Sequence, residues 1–214
     1  MNKALACHCR PKEEIGHEIG TVLALDFKHK DGDSFMDRSV YGHLCTNYGS
    51  KWQLDGRYFD GISNKVACGD VGIGVNGPAS IVFHLYLNRT AAQRGAYNGI
   101  FSQVGWLYQH TANDLLYQVI GGSFQNFSGA LVSKLWYPLE LIYDGQYSTT
   151  RIYQSGNEKV TGNPQNIDIP ALDNFQVGYS AVGGGGWLEG LMGKVSIYNF
   201  ADYAPRILSR SIGG

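Results

Sequence analysis

Apolar and polar residues alternate along much of this chain, in short runs interrupted by glycine. In "TVLALDF", Leu23, Leu25 and Phe27 fall on one side of an extended backbone, with Val22, Ala24 and Asp26 on the other. "ASIVFHLYLN" sets Ile81, Phe83, Leu85 and Leu87 against Ser80, Val82, His84 and Tyr86. "LELIYDG" sets Leu139, Leu141 and Tyr143 against Glu140, Ile142 and Asp144, and "DNFQVGYS" aligns Phe175, Val177 and Tyr179. A period of two predicts half-buried strands. Turns are marked by Asp31-Gly32, Asp55-Gly56, Asp60-Gly61, Asp144-Gly145 and Gly162-Asn163-Pro164. No window longer than about ten residues carries a helical period; Ala201 to Arg210 has room for a turn or two after Pro205. Strands with no helices to cover them bury their apolar faces against a second sheet. The prediction is an all-β chain folded as a two-sheet antiparallel β-sandwich.

Composition agrees with that reading and narrows the partners. Charged residues make up only 16% of the chain, beside 29 glycines and 14 tyrosines, a mixture suited to strands and turns. Seventeen basic residues against 18 acidic ones leave a net charge of −1, so nothing favours nucleic acid or an anionic membrane surface as partner. No apolar run reaches the length of a membrane span. The opening "MNKALACHCRPKEE" loses its apolar stretch at His8, Arg10 and Pro11, unlike a signal peptide. With Met1 as the native start, the expected location is the cytoplasm or a virion surface; with a leader removed, it is extracellular. Residues 1–19 read as an N-terminal arm or edge segment, and residues 20–214 as one domain.

Cys7-His8-Cys9 resembles half a zinc site, but its single intervening residue is tighter than the usual spacing. A second half would need Cys45 and Cys68, which lie far apart in sequence. The four cysteines are therefore read as unpaired, partly buried thiols.

Several motifs invite chemistry and fail on inspection. "GDVGIGVNGP" has glycines at dinucleotide-fold spacing, but Pro78 and a strand follow where a helix N-terminus would have to hold the pyrophosphate. Asp31, Asp33 and Asp37 in "HKDGDSFMD" are the candidate metal ligands. An EF-hand frame started at Asp31 puts Phe35 at its fifth position and Gly42 at its twelfth. Calcium, held by loop carbonyls and one or two of these carboxylates, is thus the alternative to plain solvated turn residues. "HEIGT" lacks a second zinc-binding histidine, and no serine sits in a nucleophile elbow. Glu140 and Asp144 share a strand face about 13 Å apart, too far for a glycosidase acid pair, and Glu140 is read as an exposed strand carboxylate.

The order of segments carries a resemblance. "LALDFKHKDGDSFMDRSVYGH", with Asp37, Ser39, Gly42 and His43, is similar to the opening of LamG-like, concanavalin A-like jelly rolls. Trp52, the "RYFDG" hairpin, "KVACGDVGI", "SIVFHLYLN", "KLWYPLELIYDGQYSTTRIYQSGNEKV" and the closing "LEGLMGKVSIYN" follow in the family's order. The likeness spans residues 20 to 210. It implies a jelly-roll sandwich far more than a function, since such folds occur as lectins, adhesion modules, accessory domains of glycosidases and surface parts of viruses. One departure is Gly193, where relatives often carry an acidic residue.

Two roles follow. The first is a binding or adhesion module that recognises carbohydrate or a surface glycan, by stacking sugar C–H faces on aromatic rings. Its candidate ligand residues are Trp106, Tyr108, His110, Asn113 and Asp114 in "VGWLYQHTAND", with Trp187 in "GGGGWLE". The second is a structural virion component, such as a phage head decoration or fibre-associated protein, docking on capsid subunits through residues 1–19. Catalysis ranks last: the Glu-x-Asp-x-x-Glu strand of laminarinase-type relatives and the Gln-x-His strand of the lyases are both missing, so the chain is expected not to be an enzyme.

Overall fold

A computed structural model describes residues 20–102, 107–120, 123–127, 130–143, 150–154, 157–161, 171–181 and 186–200. The proposed arm (1–19), Cys7, Cys9, Trp106, Asp144 and the segment 201–210 lie outside these residues. In chain order the strands are β1 (Thr21–Asp26), β2 (Ser34–Met36), β3 (Leu44–Tyr48), β4 (Lys51–Gln53), β5 (Gly56–Asp60), β6 (Lys65–Gly69) and β7 (Ala79–Leu87). A short helix, α1 (Ala91–Arg94), precedes β8 (Asn98–Ser102), β9 (Leu107–Gln109), β10 (Leu116–Ile120) and β11 (Ser123–Phe127). Then come β12 (Trp136–Tyr143), β13 (Thr150–Gln154), β14 (Asn157–Thr161), β15 (Phe175–Val177), β16 (Tyr179–Ser180), β17 (Gly186–Trp187) and β18 (Glu189–Tyr198).

The predicted sandwich is present. The first sheet runs β14-β13-β12-β7-β18-β5-β4, with β1 also paired to β18; the second runs β11-β10-β9-β8-β15-β6-β3-β2. All the pairings are antiparallel, and β16 and β17 form a small separate hairpin. Between the sheets Phe83 of β7 meets Phe101 of β8 edge-on at 4.8 Å, and Phe101 meets Phe175 of β15 at 5.3 Å. The alternation in β7 works as read: Ile81, Phe83, Leu85 and Leu87 are fully buried, while His84 and Tyr86 are only partly so.

Strand β18 is the centre of the first sheet. It pairs with β7 through Gly190–Tyr198, with β5 through Glu189–Met192 and with β1 through Lys194–Tyr198. Against β7 the register shifts between Met192 and Val195, so Gly193 and Lys194 form a bulge. At Gly190 a side chain is impossible: a Cβ there would lie 2.0 Å from the Tyr86 carbonyl oxygen.

The Asp37–His43 motif does structural work. Asp37 is buried, and its Oδ1 accepts from the amides of Ala24 and Ser39 at 3.1 and 2.6 Å. Its Oδ2 accepts from the His43 amide and lies 3.0 Å from His43 Nδ1. Ser39 Oγ donates to the Val22 carbonyl. One carboxylate thereby fastens the loop before β3 to β1, replacing water as partner for several amides at once.

Three expectations need correction. Cys45 and Cys68 are not free thiols but a disulfide, with Cα atoms 4.1 Å apart. Their pairing follows from the ladder, in which Thr46 faces Ala67 across β3 and β6, so the next residues outward face each other too. Glu140 is not exposed but fully buried; along the backbone it is in register with Val82 of β7 and Tyr153 of β13. The run Phe175, Val177, Tyr179 breaks at Gly178, whose φ of 86° ends β15 and sends Tyr179 into the hairpin with β17.

Closing a 23-residue separation by a disulfide stabilises a fold by about 3 kcal/mol. Replacing Cys45 and Cys68 together by serine is expected to lower the urea midpoint accordingly; an unchanged midpoint would show that the bond contributes nothing to stability.

Candidate functional site

The outer face of the second sheet is where most of the predicted ligand residues gather, and a buried polar hub sets their positions. Gln109 of β9 is fully buried. Its Oε1 accepts from the Ala91 amide and from Asn98 Nδ2, both at 2.9 Å, and its Nε2 donates to the carbonyls of Asp114 and Leu131. All of its hydrogen-bonding capacity is used, which fixes β8, β9 and the turn before β10 relative to α1. That helix is closed by a capping box between Thr90 and Gln93 and by Gly95 in the left-handed conformation. Arg94, largely buried, donates to the carbonyls of Tyr97, Trp187 and Gly61 and to Asn98 Oδ1, and pairs with Glu189 at 3.2 Å. Glu189 is also held by Arg89 at 2.7 Å.

On this frame stands a cluster of rings. Tyr108 of β9 is 1% exposed and lies 5.9 Å from Tyr117 of β10, stacked, and 5.2 Å from Tyr97, edge-on. His110 sits 4.8 Å from Tyr117 and 5.3 Å from Tyr97. His110 Nδ1 accepts from the Ala112 amide at 3.0 Å, so the neutral ring carries its proton on Nε2. Asn113 is exposed and donates to the Tyr117 hydroxyl at 2.9 Å. Asp114 is committed elsewhere: its carboxylate accepts from the Ala92 amide in the first turn of α1 at 2.9 Å.

The β16–β17 hairpin crosses this face at Gly99 of β8, where a Cβ would lie 2.1 Å from the Gly186 carbonyl oxygen. Trp187 follows on β17, 4.4 Å from Tyr179. Lys65 of β6 holds its ammonium 5.5 Å from the Tyr179 ring and 5.3 Å from the Tyr48 ring, and donates to Gln176 Oε1 at 3.1 Å. Tyr48 is 50% exposed. The face thus carries a belt of aromatic side chains from Tyr117 through Tyr97 and Trp187 to Tyr48, edged by Asn113, Gln176 and Lys65. Sequence reasoning named Tyr108, His110, Asn113 and Trp187 but missed Tyr97, Tyr117, Tyr179, Tyr48 and Lys65. Which strands neighbour one another decides whether these rings meet, and the sequence does not show that.

The candidate metal ligands do not converge. Asp37 is occupied as described above, Asp31 lies 3.9 Å from Arg38, and Asp33 accepts from Asn47 Nδ2 at 3.4 Å. Among the described residues no group of three or more His, Cys, Asp or Glu side chains is placed to hold a metal ion. A cation of the protein's own stands beside this loop. Arg57 is 1% exposed, with its guanidinium between the rings of Phe27 and Phe35 at 5.6 and 5.3 Å. It donates to the Asp31 carbonyl and to Ser50 Oγ. Burial pulls its pKa down, and the charges of Asp31 and Asp33 oppose that pull.

No protein-family model matches the sequence, and no curated protein matches it significantly. The structure is similar to Trypanosoma rangeli sialidase in complex with sialic acid, with a TM-score of 0.67 at 11% identity, over 89% of this chain and 32% of that one. It is also similar to domain 4 of AbnA, a GH43 extracellular arabinanase from Geobacillus stearothermophilus, in complex with arabinotriose. There the TM-score is 0.67 at 14% identity, over 88% of this chain and 97% of that one. An HCR/D mutant is similar at a TM-score of 0.62 and 10% identity, over 85% and 48%. This chain therefore spans about a third of the sialidase, and at such identities the likeness is one of fold. It still corrects one expectation. The sequence was read as excluding an enzyme, yet the solved structures with this architecture include a sialidase and a domain of an arabinanase, so the exclusion does not stand.

The Tyr108 hydroxyl has its pKa pushed up to about 12, by burial first and then by Tyr97 and Tyr117. Because the folded value exceeds that of a free tyrosine near 10, the stabilisation is complete below pH 10 and drains away as pH rises toward 12. A titration followed by phenolate absorbance is expected to show one tyrosine ionising late, and Tyr108→Phe to abolish that step; an identical curve for the variant would contradict the burial.

Proposed function

We propose that this chain is a glycan-binding β-sandwich domain, acting by itself or as a module within a glycosidase, and that it binds sugars along the aromatic belt of the second sheet. The observation that carries this reading is the belt itself: Trp187, Tyr179 and Tyr48 with Lys65 between the two tyrosines. Pyranose and furanose rings present patches of C–H that pack on such π faces, and the hydroxyls around them need donors and acceptors. Asn113, Gln176, Lys65 and His110 Nε2 supply those at the belt's edges. The fixed polar hub beneath it means little ordering is left to be done on binding. The arabinotriose bound to domain 4 of AbnA and the sialic acid complex of the sialidase support the same reading.

The test is a glycan array followed by calorimetric titration of any hit. Trp187→Ala and Tyr48→Ala are each expected to weaken binding, by several-fold up to about tenfold, with an unchanged thermal unfolding midpoint. No binding to any neutral or acidic oligosaccharide at millimolar concentration would overturn the proposal, as would hits whose affinity neither substitution alters.

A further inference from the structure

A concave feature lies on the opposite face of the sandwich, on the outer side of the first sheet. It is a cleft of about 250 Å³. His84 of β7 and Pro138 of β12 face each other across the ladder and form its floor. Trp136, 40% exposed and tilted 5.4 Å from Tyr86, forms one wall. Lys28 and Asp55 stand at the rim. The backbone of Lys28 is fixed from two sides: the Trp52 indole donates to its carbonyl at 2.9 Å, and its amide donates to Asp26 Oδ1 at 3.2 Å.

The space exists because of the bulge in β18. At Gly193 a Cβ would project into the cleft, 3.4 Å from the Trp136 ring and 3.5 Å from both His84 Cβ and the Asp55 carbonyl. These are ordinary contacts, so a small side chain would fit there and fill the floor. The lack of one keeps it open.

The charges around the cleft are unequal in reach. Lys194 follows Gly193 on β18, and both it and Lys28 act on the His84 ring. Of the carboxylates, Asp26 faces Lys194 across β1 and β18, but its oxygens already serve the Lys28 amide and His29 Nε2, the latter at 3.2 Å. Asp55 stands at the rim. His84 is pushed below the usual histidine range by burial first, then by Lys194 and Lys28. Burial lowers Lys194 as well, with only Asp26 opposing it. Two lysines thus bear on His84, Lys28 from the lining and Lys194 from beside Gly193, while Asp26 is already engaged and Asp55 lines the cleft.

We propose that this cleft binds a single carboxylate-bearing sugar residue, its ring stacked on Trp136 and its carboxylate between Lys28, Lys194 and His84. The volume falls below the roughly 300 Å³ at which pockets for drug-sized ligands begin, which suits one six-membered ring. The indole provides a flat apolar face. A neutral His84 and the Asp55 carbonyl offer hydroxyl partners. The lysines, which the protein alone leaves only partly neutralised, supply the preference for an acid over an alcohol. The aromatic belt lies on the other sheet, so the two sites are physically separate.

The test is a titration with D-galacturonate and D-glucuronate beside D-galactose and D-glucose, which differ from them only in carrying a hydroxymethyl group for the carboxylate. The His84 ring resonances are the readout, because they report on the cleft and not on the belt. At least one acid is expected to bind about tenfold or more tightly than its neutral twin, raising the apparent pKa of His84. Gly193→Ala, which fills the floor, and Lys194→Gln, which removes a charge, are each expected to abolish that preference while leaving the thermal midpoint within a few degrees. Equal binding of acid and neutral sugar, no response to either acid, or an acid preference that survives both substitutions would overturn the proposal.

Discussion

The constraint on which the rest depends is that β18 must be hydrogen-bonded on both edges along its whole length. On one edge β7 accompanies it throughout; on the other, β5 covers its first half and β1 its second. Strands far apart in sequence, from Thr21 to Tyr198, are thus gathered into one layer by a single ten-residue segment. Where β5 gives way to β1, the chain inserts the Gly193–Lys194 bulge, and the Phe27 amide reaches across to the Gly193 carbonyl at 3.1 Å. The change of partner and the opening of the cleft beside it are one event in the backbone. At the first residue of β18, Glu189 is gripped by Arg89 and Arg94, so the start of the strand is tied to α1 and through it to the second sheet.

Much of this architecture could be read from the letters alone. Alternation placed β1, β7, β12 and β15, and the glycine-rich stretch at 70–78 is the loop that Pro78 required. What escaped was whatever depends on lateral neighbours. Glu140 looked like an outward carboxylate because alternation says only which side of its strand it takes, not whether that side is covered. Cys45 and Cys68 looked unrelated because the ladder brings them opposite each other only after a long loop closes. The helix α1 had its own local signature, Thr90 followed by Gln93 and then Gly95, but four residues are too few for a period to show. The candidate site was legible in part: alternation and aromatic content picked out Tyr108, His110 and Trp187, while Asp114 proved to be a helix-capping group, and Tyr48, Lys65 and Tyr179 are joined to the belt only by the strand order.

The two outer faces have been put to different uses by the same fold. The second sheet carries two groups of rings, one around Tyr108 and one around Trp187, with a hairpin laid over it at Gly99. The first sheet is interrupted by a gap between side chains, walled by one indole and overlooked by lysines. In both, polar anchoring sits underneath rather than at the contact surface: Gln109 below the belt, and Trp52 with Asp26 at the Lys28 backbone. Rigid support of that sort lets exposed groups hold their geometry without a bound partner.

The near-touching backbones at Gly99 and Gly190 have a bearing on ancestry. A methyl group at either place would collide with a carbonyl oxygen across the gap, so substitution there cannot proceed by small steps; it demands that two strands part. Gly56 is bound in the same way, since a Cβ there would lie 2.5 Å from the Met192 carbonyl oxygen, while side chains elsewhere can change and the shape survive, as resemblance in form at barely a tenth of shared letters illustrates. Descent from a common forebear would therefore be traced here through spacing between bare positions rather than through any conserved chemical group.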